Sequence, residues 1–314
     1  MNLGAVWDLL KEIFSEWSED KAARLAAALA YYITFSLAPL LLIVIAIVGL
    51  LFGEEAVQGR VVEQIQGLVG PDGAQLVQTM LQSTRQSGSN IAATLIGIVT
   101  LLLGATGVFV QLQDALNTIW EVAPKPGRGV LGMVKDRLLS FTMLLGIGFL
   151  LLVSLAVSAG LAALSSFLGD LLPGLFEVAK VLDFVISLGV ITLLFAMIYK
   201  FLPDVKIRWG DVWVGAAVTS LLFTVGKFLI GLYLGYSSTA SVYGAAGSLA
   251  VLLIWIYYTA QIVLLGAEFT QVYAKRYSSR IVPDEDAMFT SDEMRAQQGM
   301  PRAEEGERAA EQAR

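Results

Sequence analysis

The sequence predicts an all-α fold, a polytopic membrane bundle of six transmembrane helices, and three observations carry that prediction. Hydrophobic residues make up 56% of the 314 and charged residues 15%, where soluble domains average ~45–50% and ~25%. Several charge-free runs exceed the ~18–20 residues that cross hydrocarbon. Each run is uniformly apolar and far longer than the ~9–11 alternating residues of a membrane strand, so helices are expected and a barrel is not. A soluble globular enzyme is thereby set aside.

Residues 1–24 place Val6, Leu10, Ile13, Phe14 and Trp17 at helical spacing, with Asp8, Lys11, Glu12, Glu16 and Glu19 between them. This pattern predicts an amphipathic cytoplasmic helix, lying along the inner membrane surface or packed on the bundle's own end. The six-helix domain follows over 25–277. Its first span, Leu25 to Gly53, contains Pro39, which predicts a kink near Phe35, with Thr34 and Ser36 placed to satisfy the freed carbonyl. An external helical hairpin over 54–90 is expected from two apolar rows, Val57, Val61, Ile65 and Leu68, then Leu76, Val77, Met80 and Leu81. Gly70-Pro71-Asp72-Gly73 marks the turn between them. The hairpin either caps the outer mouth of the bundle, or gates it or touches a partner.

The second span is read as Gln86 to Gln113, the third as Leu138 to Gly169, and the fourth as Val181 to Phe201 with Asp183 and Lys200 at its ends. The fifth runs from Asp211 to Leu234 around Lys227, and the sixth from Gly244 to Ala274 around Glu268. The polar, small-residue stretch Gly235–Gly247 separates these two. Residues 278–314 hold nine Asp/Glu and five Lys/Arg. So little apolar surface is expected to leave them a disordered acidic cytoplasmic tail.

Lys and Arg in the loops set orientation. Lys11, Lys21, Arg24, Lys125, Arg128, Lys135, Arg137, Lys200, Lys206, Arg208, Lys275, Arg276 and Arg280 fall on one side, and Arg60, Arg85 and Lys180 on the other. This bias predicts a multi-pass protein of the cytoplasmic (inner) membrane with both termini in the cytoplasm.

The chain has no histidine and no cysteine. Imidazole and thiolate, the commonest ligands of zinc and most transition metals, are therefore missing, as are the serine–histidine and cysteine–histidine nucleophile systems. No catalytic residue, metal site or cofactor is assigned. No Walker A motif suggests ATP hydrolysis, and no basic tract suggests nucleic acid. Membrane lipids are the expected partners.

Ionisable groups inside hydrocarbon cost ~2.5–3.5 kcal/mol on insertion scales, so each requires a reason. The candidates for a translocation path or a buried polar role are Gln113, Asp114, Asn117, Lys227, Gln261 and Glu268. Gln113, Asn117 and Glu121 share one helix face, lining a cavity mouth or emerging into headgroups. Lys227, about 24 Å along its helix from Asp211, either snorkels outward or faces the interior. Glu268, about 10 Å inside Lys275, is expected to face the interior, paired with a base such as Lys200 or bonded to Tyr or Gln. It serves there as a structural ion pair or as a binding site for substrate or proton. Small residues at four-residue spacing, Ala22/Ala26/Ala30 and Gly231/Gly235, allow close helix approach, in a homo-oligomer or within one chain.

Leu29-Ala30-Tyr31-Tyr32, Phe35 to Leu40, Ala115-Leu116-Asn117-Thr118-Ile119-Trp120, Tyr243 to Ser248 and Leu264 to Thr270 come in an order that resembles the YihY/virulence factor BrkB family of bacterial inner-membrane proteins. The resemblance runs from about Trp17 to Tyr277. It implies a six-helix cytoplasmic-membrane protein and suggests envelope lipid handling. That family long carried a ribonuclease BN label, which implies clustered histidines that this chain lacks. The expected function is non-ATP-driven transport or export of a lipid or small amphiphilic or polar solute. The alternative is a structural, envelope-organising membrane protein, and an enzyme is not expected.

Overall fold

The computed structural model describes residues 3–86, 107–126, 146, 175–236, 246–278 and 281–300. Eight helices are named among them: α1 (Leu3–Glu19), α2 (Ala22–Phe52), α3 (Glu54–Gln86), α4 (107–119), α5 (Leu175–Phe201), α6 (Trp209–Tyr236), α7 (Gly247–Tyr277) and α8 (Asp292–Gln297). Three helical stretches are long and apolar enough to cross a membrane: Phe184–Phe201, Trp209–Tyr233 and Gly247–Tyr277. In α2, Ala22–Ala38 is a shorter apolar stretch. Most of the second predicted span and nearly all of the third lie outside the described residues.

The most contacted element is α7, which packs against α6, α2, α3 and α1, while α6 packs against α5 and α2 against α3. The main core gathers Leu25, Ala26 and Leu29 of α2, Leu116 and Ile119 of α4, Phe195 and Tyr199 of α5, Val212 and Ala216 of α6, and Leu264 and Ala267 of α7. Backbone approach between α6 and α7 depends on two glycines. A Cβ at Gly215 would overlap the Thr270 side chain, and one at Gly266 would overlap Thr219. The sequence pointed to Gly231 instead, yet a Cβ there would meet nothing within 4 Å. Ala22, Ala26 and Ala30 are all buried inside the chain, so their small size serves intramolecular packing.

The α1 helix resolves the two readings of its amphipathic face. Leu9 and Ile13 bury against Val272 of α7, so the helix packs on the bundle end. The rest of its apolar arc, Trp7, Leu10 and Phe14, stays exposed. In α3, Gly70 takes a non-helical backbone (φ 79°, ψ 177°) directly before Pro71, which is the turn expected from the sequence. Proline suits the start of the second half because its missing N–H has no helical partner there.

Two expectations are corrected. First, Thr34 and Ser36 do not satisfy the carbonyl that Pro39 frees in α2, which runs on to Phe52. The Thr34 hydroxyl donates to the Ala30 carbonyl at 2.7 Å and the Ser36 hydroxyl to the Tyr32 carbonyl at 2.7 Å. Each serves the turn preceding itself and not the Phe35 carbonyl that the proline frees. Second, the tail is folded over 281–300. Strand β1 (Val122–Pro124) pairs antiparallel with β4 (Ala287–Phe289), and β2 (Val205–Lys206) with β3 (Val282–Pro283). Ile281 packs against the main core, Ala287 and Met300 are buried, and α8 carries the buried Arg295. Composition does not show this anchoring, because much of it comes from backbone pairing and from the ion pairs of Arg295 and Glu285. Residues 301–314 lie outside the described residues.

Candidate functional site

Polar groups converge at the end of the bundle where α1, the end of α4, the α5–α6 connection and α8 meet. Asp204, in that connection, is gripped from α4. Gln113 Nε2 donates to its Oδ1 at 3.1 Å, Asn117 Nδ2 donates to its Oδ2 at 3.0 Å, and the Asp204 amide donates back to Asn117 Oδ1 at 2.8 Å. The Asp284 amide adds a bond to the Asp204 carbonyl at 3.0 Å, tying in the tail. Gln113 and Asn117 do share a face, as their spacing predicts, but that face closes on a loop carboxylate. Asp114 is exposed and borders a small cleft with Thr118, Thr290, Arg295 and Gln298.

Beside this latch lies a second layer of ion pairs. Arg295 Nη2 meets Asp20 Oδ1 at 2.7 Å, with both side chains almost wholly buried, and its Nη1 lies 3.9 Å from Glu121. Lys275 Nζ lies 3.4 Å from Glu121 and 3.8 Å from Glu16. Burial pushes the Asp20 carboxyl up to about 6, against the opposing pull of Arg295. Lys21 and Glu121 hold left-handed backbones at φ 50° and 54°. Such geometry costs a non-glycine residue roughly 1–2 kcal/mol, and both positions border the Asp20–Arg295 pair.

Glu268 lies inward of this layer. It is fully buried, and among the described residues neither carboxylate oxygen has a hydrogen-bond partner. Gln271, three residues on and also buried, likewise has neither its amide nitrogen nor its carbonyl partnered among them. The bases and hydroxyls proposed for Glu268 are engaged elsewhere. Lys200 donates to the Ile207 carbonyl and sits over the Trp209 ring. The Tyr199 hydroxyl donates to the Val263 carbonyl at 2.7 Å and lies 3.1 Å from Thr219 Oγ1. The expected ion pair with Lys200 is therefore corrected. Gln261 is half-buried on the same helix, and Lys227 is exposed on α6 among Val225, Phe228 and Leu229. Among the described residues no group of three acidic side chains is placed to hold a metal ion.

Asp20, Asp204, Gln271 and Arg295 escaped the sequence reading. Asp20 and Asp204 sit where surface charge is ordinary. For Arg295 a signal existed: Ser291-Asp292-Glu293 opens a helix, and Ser291 Oγ accepts from the Met294 amide at 3.3 Å. Serine at an N-cap followed by acidic residues is a helix-start pattern.

The family comparison turns on the extent of the match, because the model for virulence factor BrkB aligns with residues 13–290. The chain belongs to the virulence factor BrkB family. That match takes in the first part of the folded tail, with β3 and β4, and stops before α8. A UPF0761 membrane protein of Pseudomonas aeruginosa (strain LESB58) is 30% identical over 251 residues, covering 79% of this chain and 58% of that protein. One from Methylibium petroleiphilum is 30% identical over 283 residues, covering 88% of this chain and 64% of its own length. One from Chromohalobacter salexigens is 28% identical, covering 85% and 63%. The chain thus spans about three fifths of the length of these curated relatives. No solved structure matches. Family and apolar helices together make this BrkB-family chain an integral membrane protein.

Proposed function

We propose that the protein is a non-ATP-driven transporter or exporter of the cytoplasmic membrane that moves a lipid or a small amphiphilic or polar solute, with six spans and both termini cytoplasmic. The observation that carries this reading is the pair Glu268 and Gln271, wholly buried and without a hydrogen-bond partner among the described residues. Buried polar groups are almost always satisfied, and intramembrane acids are costly. An unsatisfied pair at this depth is what a binding site exchanges for ligand contacts. Parity supports six spans. Asp20 at the start of α2, Asn117 and Glu121 at the end of α4, Asp204 between α5 and α6, and Lys275 at the end of α7 all meet at one end. A chain that leaves that end along α2 and returns by Asn117 needs one more crossing, and a chain that comes back down α5 needs another. The charge-free runs 86–113 and 138–169 supply them.

The test is the full chain in vesicles of phosphatidylethanolamine and phosphatidylglycerol bearing a fluorescent phosphatidylethanolamine. Protein-dependent movement of the label between leaflets is expected, with Glu268→Gln slowing it about tenfold at unchanged thermal stability. No protein-dependent movement of this lipid removes the lipid-transport reading. The rival, an envelope-organising protein without transport, has its own observation: Gln113 and Asn117 are spent on holding Asp204. It expects Asn117→Ala to lower stability and neither protein to move lipid. No catalysed reaction belongs to either reading.

A further inference from the structure

We infer that Glu268 and Gln271 form a proton-binding site, so that the transport proposed above is coupled to protons entering from the end of the bundle that carries α1 and α8. This rests on the transport reading and names its coupling species. The first ground is charge. The charges whose fields reach Glu268 are Glu16 and Asp20 from α1 and its junction with α2, Lys275 from α7, and Arg295 from α8. Glu121, after α4, joins them through Lys275 and Arg295. Three carboxylates therefore stand against two cations before Glu268 is counted. Both cations are already engaged, Arg295 with Asp20 at 2.7 Å and Lys275 with Glu121 at 3.4 Å. On the α5 and α6 side, Tyr199 and Thr219 lie against Gly266, and their neutral hydroxyls donate to the Val263 and Gly215 carbonyls. No positive charge among the described residues is left for an ionised Glu268.

The second ground is hydrogen-bond valence. An ionised carboxylate only accepts, so it has nothing to offer the orphaned Gln271 carbonyl, although it could take the amide N–H. One added proton changes this. A carboxylic acid donates through its O–H and accepts through its C=O, and Gln271 carries an acceptor and a donor, both unpartnered. Three residues apart on α7, the two side chains lie on the same side of the helix. A metal cation fits less well, because sites for hard cations need about six oxygens, and no group of three acidic side chains is gathered among the described residues.

The experiment is infrared spectroscopy of the full chain in phosphatidylethanolamine/phosphatidylglycerol vesicles, scanned from pH 5 to 9. Expected is one carboxylic-acid C=O band that titrates reversibly, is absent from Glu268→Gln, and shifts in frequency in Gln271→Leu. The second variant keeps the carboxyl, so it reports even where Glu268→Gln folds poorly. No Glu268-dependent band at any pH, or a band bleached by sodium at fixed pH, overturns the inference. The leaflet assay, repeated with the pH gradient in each direction, separates the two claims. Label movement that ignores the gradient overturns coupling and leaves transport standing. A titrating band without any label movement overturns lipid transport, and the proton coupling of lipid movement with it.

Discussion

Arg295 and Asp20 show how much one buried ion pair governs here. Each is almost wholly buried, and they meet at 2.7 Å. Removing one partner of such a pair typically costs about 3–5 kcal/mol, because the other charge is left buried without compensation. Arg295→Met is therefore expected to lower the thermal stability of the detergent-solubilised protein sharply. Adding Asp20→Asn to it should recover most of the loss, which a double-mutant cycle measures. The pair also sets a pH dependence. Asp20 holds its proton up to about 6 when folded, against 3.8 ordinarily. A raised carboxyl binds protons more tightly in the native state, so its contribution is full below about pH 4 and is lost as pH rises to about 6. Two pH units correspond to about 3 kcal/mol. Asp20→Asn should flatten that part of the stability profile, and an unchanged slope would place the titrating group elsewhere.

Elements meet through contacts that periodicity does not encode, which is why some of the architecture was legible and some was not. Length and apolarity located α2, α5, α6 and α7, and Gly70-Pro71 located the break in α3, since these features are local. The helix-start signal at Ser291 was local too, yet the acidic composition around it outweighed it. Asp204 could not be found because its role depends on Gln113 and Asn117, more than eighty positions earlier, closing on it. Glu268 was legible as a buried acid. Its lack of a partner was not, because Lys200 had an alternative in the Ile207 carbonyl. The glycines follow the same division. Gly231 fits a small-residue pattern but faces open space, while Gly215 and Gly266 face threonines of the opposing helix. Gly215→Ala should therefore destabilise by about 1–3 kcal/mol through overpacking, and Thr270→Ala in the same chain should return much of it. At Gly70, φ 79° with ψ 177° is a backbone essentially reserved for glycine, so Gly70→Ala should cost about 1–3 kcal/mol. Unchanged melting of either single variant would contradict the packing described.

At the scale of the whole molecule, one end of the bundle is tied together and the rest follows from that closure. Lys21 donates to the Gly299 carbonyl, Arg276 meets Glu12 at 3.0 Å, and Lys125 donates to the Glu285 carbonyl at 2.6 Å. Residues near both ends of the sequence, and from three connections between helices, therefore share one surface. On the topology proposed above from the lysine and arginine bias, that surface faces the cytoplasm and α3 lies on the other side. The absence of cysteine makes this directly measurable, because any introduced thiol is the only one. Lys11→Cys and Glu285→Cys, both exposed, should resist a membrane-impermeant maleimide applied to intact spheroplasts and react fully after permeabilisation. Gln66→Cys, exposed on α3, should react in both. Labelling of Lys11→Cys and Gln66→Cys from the same side would break the single crossing assigned to α2. Labelling of Glu285→Cys alone among the tail-end pair would break the even count, because Asp20 and Arg295 could not then meet within one bundle end.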